Sequence, residues 1–220
     1  MRFRERFRSG RNETIKIEFA RNWASTASGA TATTTDGAAS AANLIDDTEA
    51  TNWSAPATNT AGAISVDGKA AVIDLGGTDD VRVRSVQVSA MLAPGNSRFA
   101  ALRQFELWAC NADEGDDCST PAGFSKEYTS PANAFPGSPP RPIAPQLLLR
   151  TFNVPDFEAT HIQFVVRSTQ CTGGPGFQGD QDADPANNPD CDTNVPANST
   201  RNFARTAEFQ VFSQTAEVDD

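Results

Sequence analysis

The chain has 220 residues, 38% of them hydrophobic and 21% charged, with 18 Lys and Arg against 28 Asp and Glu for a net charge of −10. Seven basic and three acidic side chains fall in residues 1–22 and eleven against twenty-five in the rest, an acidic body that repels phosphate backbones and argues against a nucleic-acid partner. No window approaches the length of apolar sequence that a membrane-spanning helix needs.

Residues 1–19 read as a basic tail or linker, in which Thr14–Phe19 alternates like a strand. The arginine-rich start is followed by no apolar stretch of signal-peptide type. The chain is therefore expected either to be a fragment of a larger secreted protein or to begin away from its natural start. Residues 24–42 are almost wholly Ala, Ser, Thr and Gly, too small and polar to build a core, and are predicted as a loop on a sheet edge.

Strand patterns then recur. Ala70–Leu75 is a short apolar run closed by two glycines, and Val81–Ser89 alternates with a phase slip at Arg84 and Ser85 that predicts a bulge. Gln104–Cys110 sets Phe105, Leu107 and Ala109 on one face and Trp108 on the other. Gln146–Val154 is a further run, and Thr160–Ser168 points Ile162, Phe164 and Val166 inward with His161, Gln163 and Arg167 outward. Phe203–Phe212 closes the set, and residues 214–220 form an acidic tail. No helical periodicity of useful length and no internal repeat occurs. The fold class predicted is all-β, an antiparallel β-sandwich over residues 20–213.

Four cysteines, Cys110, Cys118, Cys171 and Cys191, occur in an Asn- and Thr-rich chain poor in lysine, which points to an exported protein with two disulfides. Three pairings are open. The local one, Cys110–Cys118 with Cys171–Cys191, is expected, each loop closure contributing about 2.5–3.5 kcal/mol. A zinc site is the rival reading, weakened by the absence of any C-x-x-C pair and by a lone, distant histidine.

Chemistry concentrates in two acidic loops. Asn43–Trp53 packs carboxylate, hydroxyl and carbonyl oxygens behind an apolar pair, the all-oxygen donor set that calcium takes, and Glu208 places a carboxylate in a late apolar strand. Asp180, Asp182 and Asp184 alternate in a D-x-D-x-D turn, where three acids repel one another unless a cation sits among them. That turn lacks the glycine and distal glutamate of an EF-hand. A polar turn and a solvated acidic loop are the plainer readings of the two. Residues 129–145, with six prolines, and residues 169–200 are too long to be simple connectors. Arg98, Phe135, Arg141 and Phe177 on the loops are candidates to meet a ligand, the arginines fixing hydroxyl or carboxylate groups and the rings stacking on sugar C–H faces. Trp23, Trp53 and Trp108 are expected to be structural.

Catalysis is bounded tightly. A single histidine excludes H-E-x-x-H, and a Ser-His-Asp arrangement would have to use His161, placed mid-strand. No G-x-S-x-G, P-loop or G-x-G-x-x-G occurs. The chain is expected not to be an enzyme, although carboxylates for a glycosidase pair are plentiful.

The order of Asn22-Trp-Ala24, the Ile45–Trp53 loop, Val72-Ile-Asp-Leu-Gly76, Phe105-Glu-Leu-Trp108 and Ala207–Val211 resembles the discoidin-like domain, the galactose-binding-like jelly roll of coagulation factor 5/8 type C modules. The resemblance implies a structural calcium held by the Asn43 carbonyl, Asp46, Thr48, Thr51 and Glu208. Thr48 stands where the family usually has an acid, so the ligand there is expected to be either a carbonyl or Asp47 as a substitute. The segments 134–136, 140–142, 170–173 and 178–185 also look like modules appended to secreted bacterial fungalysin-type metallopeptidases, which implies a catalytic part upstream. The resulting expectation is a secreted, calcium-stabilised, noncatalytic module that binds a glycan or an extracellular protein surface and targets an attached enzyme. The alternative is a structural accessory domain of a metallopeptidase with no external ligand.

Overall fold

The computed structural model describes residues 20–34, 40–60, 63–77, 79–137, 142–171 and 203–215, together with the backbone of two strands nearer the start. Those two, β1 (Phe3–Arg6) and β2 (Asn12–Ile15), pair antiparallel within the segment expected as a tail. The strands of the body are β3 (Thr31–Thr34), β4 (Trp53–Pro56), β5 (Thr58–Thr60), β6 (Ala63–Ser65), β7 (Ala70–Asp74), β8 (Val81–Ser89) and β9 (Leu102–Cys110). They continue with β10 (Ser125–Thr129), β11 (Arg150–Ala159), β12 (His161–Thr169), β13 (Phe203–Thr206) and β14 (Glu208–Phe212). Among the described residues the only helical elements are short 3-10 turns, and no helix is long and apolar enough to cross a membrane.

A five-stranded antiparallel sheet of order β10-β9-β12-β7-β3 lies over a three-stranded one of order β11-β8-β14. The alternation in the strands dictates the stacking. Ile162, Phe164 and Val166 of β12 and Phe105 and Leu107 of β9 are fully buried, as are Val83, Val86 and Val88 of β8 and Phe209 and Val211 of β14. Rings join the layers: Phe105 meets Phe152 of β11 edge-on at 5.1 Å, and Phe164 meets Phe209 at 5.3 Å. Trp53, fully buried, sets its edge on Phe164 at 6.1 Å. Burying a side chain of this kind contributes about 1.5–3 kcal/mol, so each of these rings helps hold the layers together. The predicted antiparallel sandwich is the architecture found.

Three expectations need correction in detail. The small-residue stretch 24–42 is not all loop, because Thr31–Thr34 pairs with β7 as the outer strand of the larger sheet. The run Phe203–Phe212 divides at Ala207, its first half pairing with β4 and its second with β8. The irregularity expected in β8 lies opposite it, where Asn153 faces Ser85 and Phe157 faces Val83, so β11 spends four steps against two. Pro155 sits in that excess, tolerated because β11 is an edge strand whose outward N–H groups need no ladder partner.

Cys110–Cys118 is bonded, with Cα atoms 5.7 Å apart, and ties the connection that leaves β9. Cys171 is buried against Phe99; Cys191, its expected partner, lies outside the described residues. After β7, Gly76 turns with φ of +72°, and a Cβ there would stand 2.3 Å from the Gly29 carbonyl oxygen. Only glycine permits that approach, which brings residues 22–30 against the sandwich and toward the acidic loop.

Candidate functional site

Glu208 opens β14 on the outward face of the smaller sheet, opposite Ser89 of β8, yet is only 1% exposed because residues 46–49 fold over it. The Thr48 N–H donates to Glu208 Oε2 at 3.2 Å and to Asp46 Oδ1 at 3.3 Å. Glu208 Oε1 is buried and finds no hydrogen-bond partner among the described residues. Burial raises this carboxyl most, the charges of Asp47 and Asp46 raise it further, and the Thr48 and Asp47 N–H groups offset only part, leaving it pushed up to about 8.

The rest of the loop is tied. Thr51 Oγ1 donates to Asp46 Oδ2 at 2.6 Å, and Thr48 Oγ1 accepts the Ala50 N–H at 3.1 Å. Asn43 Nδ2 donates to the Asn52 carbonyl at 3.0 Å. Asp47, whose φ is +61°, accepts from Asn22 Nδ2 and from the Ser25 hydroxyl. Its side chain therefore anchors the segment before β3 instead of joining Asp46. Among the described residues no group of three or more His, Cys, Asp or Glu side chains converges as a metal centre. The two carboxylates of Asp46 and Glu208, with neutral oxygens from Asn43, Thr48 and Thr51, nonetheless fit a hard cation in donor chemistry. The unpaired buried Oε1 is the atom such an ion would satisfy.

The acidic loop braces its neighbours through two residues that the sequence reading passed over. Asn52, 8% exposed, donates from Nδ2 to the Met91 carbonyl at 2.8 Å and accepts the Ala93 N–H at 2.6 Å. Glu49 Oε1 accepts from the Ser89 hydroxyl and, at 3.2 Å, from the Leu149 N–H. A polar residue wedged directly before a tryptophan that must be buried was the available signal for Asn52.

The braced segment walls a hollow of about 210 Å³ formed by residues 91–96 with Arg98, Ala144 and Leu147. Arg98 donates from one guanidinium nitrogen to the Pro142 carbonyl at 3.2 Å, the one hydrogen bond its side chain makes among the described residues. Ile143 at 50% and Leu148 at 45% exposure give the neighbouring rim an apolar character.

Arg98, expected to meet a ligand, lines this hollow. Phe135 does not: it is fully buried, its N–H bonded to the Arg103 carbonyl and its ring against Phe152 at 6.2 Å. It is a core residue carried on a proline-rich loop and offers no stacking face. Arg141, Phe177 and the acids Asp180, Asp182 and Asp184 lie outside the described residues. His161 faces outward from β12, with Nδ1 2.9 Å from the Thr160 hydroxyl and Nε2 3.8 Å from Asp74. Thr160 Oγ1 is itself engaged by the Ala112 N–H and the Cys110 carbonyl, so this group fastens strand ends.

No protein-family model and no curated protein sequence matches the chain. Solved structures show likeness at low identity. CpGH89CBM32-5 from Clostridium perfringens, in complex with GalNAc-β-1,3-galactose, is 17% identical with a TM-score of 0.47 over 84% of this chain and 95% of that one. The family 32 carbohydrate-binding module of C. perfringens NanJ, in complex with galactose, is also 17% identical, with a TM-score of 0.44 over 83% and 91%. Chitosan-binding module 2 from a chitosanase/glucanase of Paenibacillus sp. IK-5, in complex with chitotriose, is 13% identical, with a TM-score of 0.47 over 87% and 99%. Overlaps of this degree pass no ligand to this chain, and the sandwich stands on its own sheet order.

Proposed function

We propose that the chain is a noncatalytic, extracellular glycan-binding module whose ligand loop is braced by calcium. The observation that carries this reading is the connected series from Glu208 and Asp46 through Thr51 and Asn52 to the 91–98 segment. Asp46 and Glu208 would hold the calcium, whose positive charge would offset the burial and the neighbouring acids that push the Glu208 carboxyl up. Asp46 then fixes Thr51, Asn52 fixes the Met91 carbonyl and the Ala93 N–H, and the hollow keeps its shape. Arg98 is the residue that meets the ligand, through N–H donors matched to sugar hydroxyls or a uronate carboxylate. A hollow of about 210 Å³ suits one hexose ring better than a long chain. The Cys110–Cys118 bond favours an oxidising, extracellular setting.

An attached enzyme, of metallopeptidase or other type, is the partner this module would target. The test is a broad glycan array probed with the purified chain, with calcium and with chelator. Calcium-dependent binding to a defined sugar class, lost in Arg98→Ala, is the expected result. Silence in both arms from folded protein would refute the reading and leave a structural accessory domain.

A further inference from the structure

A second hollow lies on the other side of the acidic loop, across the outward face of the three-stranded sheet. Strand register makes a grid there. Thr151, Gln87 and Gln210 form one row, and Asn153, Ser85 and Phe212 form the next. The row above, with Ser89 and Glu208, is roofed by residues 46–49. At the opposite end the chain after β14 folds back, and Ser85 donates its hydroxyl to the Gln214 carbonyl at 2.6 Å. Between these covers lies a depression of about 150 Å³ bounded by Ala20, Gln87, Thr151, Phe212, Gln214 and Thr215, with Ser85 as its floor.

The lining is unusual for the outside of a sheet in this protein. Further along the same strands Arg82 and Arg84 pair with Asp156, whereas among the described residues no ionisable side chain borders the depression. Gln87 and Gln214 bring amides that donate and accept, Thr151 and Thr215 bring hydroxyls, and Phe212 brings a half-buried ring at one wall. Gln87 Nε2 donates to Thr151 Oγ1 at 3.1 Å, which pre-orients two of these groups across the floor. Uncharged groups that each donate and accept, beside one apolar ring, complement a molecule with many hydroxyls and one C–H face.

We infer that the outward face of the three-stranded sheet holds a second binding site, for an uncharged pyranose, built from Gln87, Thr151, Phe212 and Gln214. It stands apart from the Arg98 hollow and shares no lining residue with it. Two sites on one module give avidity on a repeating polysaccharide without new contacts, provided the chain of sugars reaches both.

The experiment is amide chemical-shift mapping of the whole chain titrated with methyl β-glucoside, methyl β-galactoside and cellotriose. The expected result is saturable shifts at Gln87, Thr151 and Phe212 and in the glutamine side-chain NH2 groups. Gln87→Ala, combined where needed with Thr151→Val, weakens them about tenfold while leaving shifts at residues 91–98 in place; Arg98→Ala does the reverse. Shifts confined to residues 91–98, or a sheet-face response unaltered by Gln87→Ala, overturn the second site and spare the first. A response on the sheet face alone refutes the Arg98 hollow for these sugars and keeps this one. No response at either place from folded protein overturns the second site.

Discussion

Two glutamates are buried on the outward faces of the two sheets, and they end in opposite states. Glu106 of β9, 6% exposed, accepts from the Trp108 indole at 3.1 Å and the Thr129 hydroxyl at 3.2 Å, with Lys126 at 3.5 Å and Arg167 at 3.9 Å. Burial pushes its carboxyl up, but Trp108, Arg167, Thr129 and Lys126 together outweigh that and hold it below the ordinary value. Glu208 of β14, 1% exposed, faces Asp46 and Asp47 with only backbone N–H groups to help, and is pushed up to about 8. Burial is common to both, so the partners decide. The five-stranded sheet supplies its carboxylate with cations from its own strands. The carboxylate of the three-stranded sheet is instead covered by a loop that brings more acid, an arrangement that the calcium proposed above would complete.

The largest expected effect follows from that difference. If calcium binds as proposed, a concentration of about a hundred times its dissociation constant should stabilise the chain by about 2.7 kcal/mol, a rise of about 5–10 °C in melting temperature at this length. Glu208→Gln removes the response while folding normally in chelator, because the amide oxygen still accepts the Thr48 N–H. An equal calcium response in that variant, read by calorimetry, would sink the assignment of Glu208. Next in size, Glu106→Ala strips the indole and the Thr129 hydroxyl of their acceptor and costs about 2 kcal/mol, with or without calcium. Calcium dependence of that loss would mean that the two carboxylates are not independent.

How much of this was legible varies with the physics of each segment. β12 and β9 were readable because alternate residues enter a core and the period survives in sequence. β3 was not, since Thr31–Thr34 has no apolar face and owes its strand to pairing with β7. β10, Ser125–Thr129, is another edge strand whose exposed pattern hides it. Phe135 misled because a proline-rich loop has no period that separates inward from outward. The Asp46–Glu208 pairing was implied by the discoidin-like resemblance, and in the structure both carboxylates accept the Thr48 N–H, Glu208 from 160 residues away. Nothing local could reveal the Thr151–Gln87–Gln210 row, which exists only once three distant segments take their register.

The same comparison has a pH dependence of opposite sign in its two halves. Glu208 is raised above its ordinary 4.5, so the unfolded chain loses that proton first as pH rises. Its contribution to stability is full below about 4.5 and is lost as pH climbs through about 8. Glu106 is lowered from 4.5, so its contribution is full above that value and is lost as pH falls through the depressed one. In chelator, melting temperature should decline from pH 5 to pH 8 in the native chain and stay flatter in Glu208→Gln. A decline of the same slope in both would place its origin elsewhere. Smallest of all is the effect of Lys126, whose side chain is 49% exposed where it meets Glu106. Lys126→Met should cost only about 0.2–1 kcal/mol, and molar salt should erase the difference from the native chain. Arg167, Trp108 and Thr129 remain to hold the carboxylate. A loss as large as that of Glu106→Ala would mean that one surface ammonium, not the shared set, keeps Glu106 ionised.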